Sequence, residues 1–315
     1  MKRISLATGL FIFISLHVQA QNDTATMVTT SENVTHKPVQ IFSADKAINA
    51  NTAETVGKGK MAFRVTHNFG DVGGSGGGIK RFFGLDNASD VRIAFQIGLG
   101  KKFDLIMSRS KGAGSQQQLL EAGFKYKFME QREDDPSHPL SAMFFFNTVV
   151  ACNKSSAFQN LDNTFNNFSD RLSNTFQLVL ARKMGKVSVL LSPTVITRGN
   201  AATYDQSTFF ALGGAIKLPL VANRLNLLVD YFHVFRKEAV KDSFLVKNNL
   251  KFYDPLGIGF EIITSGHTFR LNFTNATEIL ENRFIPRTIT TWGDGQFRWG
   301  FTISRTFTLW REKKR

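Results

Sequence analysis

The stretch from Gln296 to Trp310 constrains this chain more than any other. Phe297, Trp299, Phe301 and Ile303 alternate with Arg298, Gly300, Thr302 and Ser304. Successive side chains of a strand point to opposite faces, so one face here is aromatic and apolar and the other polar or small. The run exceeds the roughly five or six residues of an average globular strand and suffices for the roughly nine to eleven that cross a bilayer at a tilt. Arg305 interrupts the apolar row before Phe307 and Leu309 resume it, which marks a bulge or a depth at which a guanidinium reaches the headgroups. Lipid offers no partner for an open strand edge, so the remaining chain must close around this one. The expected fold is all-β, a single antiparallel transmembrane β-barrel.

The start of the chain agrees with export. Lys2 and Arg3 precede an apolar centre, Ile4 to Val18, and Val18-Gln19-Ala20 forms a small-residue cleavage site, so residues 1–20 read as a signal peptide. No cysteine follows the expected cut, which leaves no acyl anchor. Elsewhere no apolar run reaches the roughly eighteen residues of a helical span, so spanning falls to strands and the expected address is the outer membrane. The 31 phenylalanines fit a lipid-facing surface with aromatic girdles; the soluble counterpart is a large β-sandwich with a Phe-rich core. The single Cys152 excludes an intrachain disulfide. The formal charge of +14 points to lipid phosphates or small anionic solutes as partners. Nucleic acid is not expected, because the bases are scattered rather than clustered.

Residues 21–57 are polar and aperiodic, and are expected to form a periplasmic segment or a plug, with a short helix within 40–55 that Ser43 caps at 44–48 and Gly57 stops. From 58 to 310 the period of two recurs. Strands are expected at about 60–69, 91–99, 103–111, 117–130, 140–152, 171–183, 187–198, 207–219, 225–236, 251–264, 267–277 and 296–310, which makes twelve. Short and long connections alternate, as they do when short turns face the periplasm and long loops face outward. Pro193 lacks a ladder donor, so its strand should be bulged or locally unpaired there. Residues 311–315 form a basic tail.

Several phrases resemble an uncharacterised outer-membrane β-barrel family, a domain of unknown function found in Bacteroidota. They are Lys60 to Gly70, Phe83-Gly84-Leu85-Asp86, Ser265 to Phe269 running on to Phe273-Thr274-Asn275, and Phe297 to Phe307. The resemblance implies a barrel in the outer membrane and brings no catalytic residues. Where the family form carries Arg after the first histidine, this chain has Asn68.

No motif for chemistry stands up. Gly73-Gly74-Ser75-Gly76-Gly77 matches G-x-S-x-G, but without the strand and helix that make a nucleophile elbow, and no phosphate-cradling Gly-Lys-Ser/Thr ending occurs. His67, His138, His233 and His267 are not followed two residues later by Ser, as a lipid-face phospholipase would require, and show no metal spacing. No cofactor, metal or catalytic residue is expected. The informative set is the polar inner row, Arg64, Arg92, Gln96, Glu121, Lys125, Lys127, Glu261, Arg270 and Arg298. It reads as the lining of a narrow channel favouring small anionic solutes, or as a static network of partnered interior charges. In the second case the barrel would be a structural or docking body, binding a periplasmic or surface partner through residues 21–57 or its loops.

Overall fold

The computed structural model describes residues 36–222 and 224–311. The expected signal peptide, the first part of the N-terminal segment and residues 312–315 lie outside the described residues. Twelve strands follow in order: β1 (Lys60–Asp71), β2 (Ala88–Gly98), β3 (Phe103–Ser110), β4 (Leu119–Met129), β5 (Ser141–Ala151), β6 (Leu172–Met184), β7 (Val187–Arg198), β8 (Thr208–Val221), β9 (Leu225–Phe235), β10 (Leu256–Ile263), β11 (Thr268–Thr274) and β12 (Arg298–Thr308). Each pairs antiparallel with its sequence neighbours, and β12 closes the ring on β1 from Lys60↔Thr308 to Asn68↔Gly300. Closure leaves no edge, as a bilayer demands.

The alternation that defines the strands also sorts their faces. Ile93 and Phe95 on β2, Leu105 and Met107 on β3, Phe210 and Leu212 on β8, and Phe260 and Ile262 on β10 all lie exposed on the outer surface. Arg305 stays in this outer row with no register shift beside it, its guanidinium 5.2 Å from the Phe307 ring centroid. It therefore reaches out along the wall without bulging it. Pro193 keeps its pairing with Leu212 on β8, while the ladder to β6 skips from Gln177↔Thr194 to Leu180↔Leu191 in unchanged register. The missing donor costs local pairing and no bulge.

Short turns between β2 and β3, β6 and β7, β8 and β9, and β10 and β11 gather at one end, with the longer 130–140 connection between β4 and β5. Long loops gather at the other end. Two α-helices lie in those loops among the described residues, α1 (Glu238–Asn248) and α2 (Glu281–Arg287). All but the last residue of α2 are buried, so the loop that carries it folds into the barrel and not out into solvent.

The segment before β1 also lies inside. Pro38 bridges to Arg132 at the short-turn end, and the chain then climbs the interior and reverses between Lys46 and Asn51. Ala47 N–H donates to the Ala50 carbonyl at 2.8 Å and Thr52 N–H to that of Asp45 at 3.0 Å. The result is a re-entrant hairpin. The helix expected within 40–55 does not form, because the Ile48, Asn49 and Ala50 amides are taken by a carboxylate on the wall, Asp230. Twelve strands enclose more space than their own side chains fill and less than an open porin holds; here two inserted segments take up the difference.

Candidate pore interior

Arg64, Arg92, Gln96, Glu121, Lys125, Lys127, Glu261, Arg270 and Arg298 are all buried inside the barrel. They do not form one ring; each has its own partners. Arg92 donates to Glu121 from Nη2 at 2.5 Å and from Nε at 3.1 Å, and Glu121 also accepts from Ser108 and, at 2.7 Å, from Asn147. Arg270 donates to Glu261 at 3.1 Å, with Asn226 on the second carboxylate oxygen at 3.0 Å. Arg298, at the long-loop end, meets Asp71 and Thr277. Gln96 donates to Asp104 at 2.6 Å.

The remaining cations hold the hairpin. Arg64 forms an ion pair with Asp45, and Lys125 donates to the Asp45 carbonyl at 2.5 Å. Lys127 lies 3.7 Å from Glu54, whose carboxylate accepts the Ile41 and Phe42 amides at 3.0 and 3.1 Å. Asp230 on β9 accepts three successive hairpin amides at 2.5–3.1 Å and the Asn49 side chain at 3.0 Å. The wall is shaped for this guest. A side chain at Gly98 would run into the backbone oxygen of Gly57, and one at Gly257 would meet Asp230, Asn49 and Ile48 within about 3 Å.

From the other end the inward loop comes down to meet the hairpin. Lys46 pairs with Glu281 of α2, and Asn51 donates to the same carboxylate at 3.0 Å. Asp90 on β2 accepts the Ile279 amide at 3.0 Å. Above this contact Arg283 binds Glu278 at 2.9 Å, and Arg287 lies 3.3 Å from Asp162. Burial works against the Asp162 charge, but Arg287, Arg283 and the Ser115 hydroxyl outweigh it and hold its carboxyl below the usual carboxylate range. Where hairpin and loop meet, Arg64, Arg92, Glu121, Lys46 and Glu281 surround a void of about 10 Å³. That is room for one water molecule at most, so wall, hairpin and inward loop pack closely where they meet.

The polar inner row accounts for only part of the interior. On β5 to β9 the inward positions include Met143, Phe145, Val179, Leu190, Ile196, Phe209 and Phe232, which form one apolar cluster with Ile41 and Phe42 of the hairpin and Phe284 and Ile285 of α2. Ala142 to Phe146 is an uninterrupted apolar run, the signature of a strand covered on both faces. Asp230 sits in the inward row of β9 between Leu228 and Phe232, but nothing near it in sequence announces that its partners lie on the hairpin.

One arrangement on the outer face was not foreseen. His233 on β9 shares the Asp254 carboxylate with the Tyr231 hydroxyl, at 2.8 and 2.5 Å. Among the described residues no hydroxyl or thiol joins His233 on its other side, and Gly73 to Gly77 lie in the loop after β1, where no nucleophile elbow forms.

Fold and interior together define a membrane-bound β-barrel with two segments of its own chain packed inside it. The chain belongs to the family of the membrane bound beta barrel domain DUF5777, whose pattern matches residues 42–307; this agrees with the resemblance carried by Lys60 to Gly70 and the later phrases. No curated protein matches the chain in sequence. Among solved structures it is similar to the outer membrane channel COG4313 of Pseudomonas putida F1, at 10% identity over 81% of this chain and 98% of that one, with a TM-score of 0.46. It is also similar to the KdgM porin, at 9% identity over 79% and 99% with a TM-score of 0.44, and to the NanC porin, at 7% over 78% and 98% with a TM-score of 0.43. Likenesses at this level do not extend to a shared solute or pathway.

Proposed function

We propose that the protein is an outer-membrane channel, exported through a cleaved signal peptide at residues 1–20, that is held closed by its N-terminal hairpin and passes small anionic solutes when the hairpin withdraws. The observation that carries this reading is how the hairpin is held. Toward β1–β4 and β9 it is bound by hydrogen bonds and ion pairs to Arg64, Lys125, Lys127 and Asp230, all groups that water can take over. Eight buried basic side chains stand on the strands against five buried acidic ones, so a wetted lumen is net basic and favours anions. Passage requires no chemistry on the solute, and no catalytic residue is assigned.

A second reading is favoured by the apolar cluster that joins Ile41, Phe42 and Phe284 to the β5–β9 wall. Apolar packing of this kind is the mark of a permanent core, and with it the barrel would be a non-conducting body that docks a partner. Conductance decides between them. In planar bilayers the channel reading expects discrete steps under a salt gradient that are rare in the full mature chain and frequent after deletion of residues 21–57. Silence from both proteins, each shown to be folded by circular dichroism, selects the docking barrel.

A further inference from the structure

A second, larger cavity lies at the short-turn end, outside the level where hairpin and inward loop meet. It has a volume of about 630 Å³ and lies between the hairpin residues Pro38 to Gln40 and Ser43 and the inner ends of β6 and β8, within the range of pockets that take small ligands. Lys183, Lys186 and Lys217 line it, and among the described residues Glu133 is the one carboxylate on the lining. Lys217 is the telling residue. It follows the inward row Phe209, Ala211, Gly213, Ala215 of β8 and is 8% exposed. Its ammonium lies 5.7 Å from the Phe42 ring centroid and has no hydrogen bond or ion pair among the described residues. The nearby carboxylates are engaged elsewhere: Glu261 by Arg270 and Asn226, Glu54 by the Ile41 and Phe42 amides and Lys127. The stem of Lys217 is buried but its ammonium still meets the cavity, which leaves it free to receive an anionic group. Among the described residues neither Lys183 nor Lys186 has an acidic partner that would compete for a ligand.

We infer that this vestibule is a binding site for a small polyanion bearing two or more carboxylate or phosphate groups, with Lys217 at its base and Lys183 and Lys186 at its rim. Three ammonium groups against one carboxylate select net negative ligands, and ammonium groups on flexible stems bind such groups as point charges, without the fixed geometry of a guanidinium fork. The Gln40 amide, on the hairpin side, supplies a neutral contact. The site deepens the channel reading, on which its role in passage rests, although binding itself requires no open lumen.

The test is isothermal titration of the full mature chain in an uncharged detergent with inorganic pyrophosphate and, separately, with succinate. Saturable binding of at least one probe is expected. Lys217→Gln should weaken it at least tenfold, as loss of a charge-assisted contact does, and Lys186→Gln, on an exposed turn where folding is not at stake, severalfold. Lys247→Gln, on α1 away from the cavity, should leave it unchanged. Preference between the probes separates phosphate from carboxylate ligands. No saturable binding, or wild-type affinity in both Lys217→Gln and Lys186→Gln, overturns the site. Binding without current in the truncated barrel leaves the site standing and removes the channel; current without binding does the reverse.

Discussion

Asp230 accepts four hydrogen bonds from the hairpin, three of them from consecutive amides. Replacing it with Ala leaves those donors facing an apolar methyl. An unmet buried donor costs about 1–3 kcal/mol, and with partial relaxation we expect the hairpin to loosen by about 3 kcal/mol. Amide exchange over residues 46–52 should then quicken about a hundredfold while the strands keep their protection; unchanged exchange would mean the hairpin is held elsewhere. Asp162 gives a prediction in pH. Its carboxyl is held below the usual range by Arg287, Arg283 and Ser115 against the effect of burial. The unfolded chain therefore takes up its proton first as pH falls. The stability it lends the inward loop is fully present above the ordinary carboxylate range near pH 4 and is lost as pH drops through the lower folded value. Burial pushes Glu278 the opposite way despite Arg283, so its protonation on acidification favours the fold and does not produce this loss. Protease resistance of residues 275–297 should hold from pH 7 to 5 and fall below about pH 4. Asp162→Asn should show the weakened loop already at pH 7.

The strands and the hairpin differ in what they need from each other. Every strand is bonded on both sides by other strands, and the ring closes through β1 and β12 without the hairpin. Deleting residues 21–57 should therefore leave a folded barrel, seen as an unchanged β-sheet circular dichroism spectrum and retained heat-modifiable migration on gels. Loss of the fold would show that the hairpin is part of the core. The same contrast explains what the sequence disclosed. Strand partners are neighbours in the chain and each strand carries its own alternation, so β1 to β12 were legible to within a few residues, β10 excepted, where the chain from Lys251 to Pro255 looks extended but joins no ladder. The hairpin has no periodicity, and its partners Asp230 and Glu281 lie some 180 and 230 residues away. The inner apolar row of β5 to β8 was hidden for another reason. Where both faces are apolar, as around Phe145, alternation loses its contrast and the outer row alone is read.

At the scale of the whole barrel, function turns on charge and on whether the interior wets. The hairpin brings Asp45, Lys46 and Glu54 into the lumen, so its departure removes one negative charge net and leaves a wall already richer in basic groups more so. The truncated barrel should therefore prefer anions, read as the sign of its reversal potential under a salt gradient. Changing that preference requires a cation free of wall carboxylates. Arg92 and Arg298 are poor choices, since each is bound to an acidic group of the wall, Glu121 or Asp71, and reversal there would set two carboxylates together. Lys125 is better placed: among the described residues its hydrogen bonds run to the hairpin carbonyls of Asp45 and Thr52, and the carboxylate across from it on β3, Asp104, is bonded by Gln96 and not salt-bridged to it, so truncation leaves it in water. Lys125→Glu in the truncated barrel changes the lumen by two charges and breaks no salt bridge of the wall, with Asp104 as its neighbour on β3. It should move the reversal potential toward cations at similar conductance, and the shift should shrink as salt screens the lumen. A conducting barrel whose selectivity ignores Lys125→Glu would have its narrowest point away from β4, between the apolar faces of β5 to β9. The basic row would then be the partner of the hairpin and not of the solute.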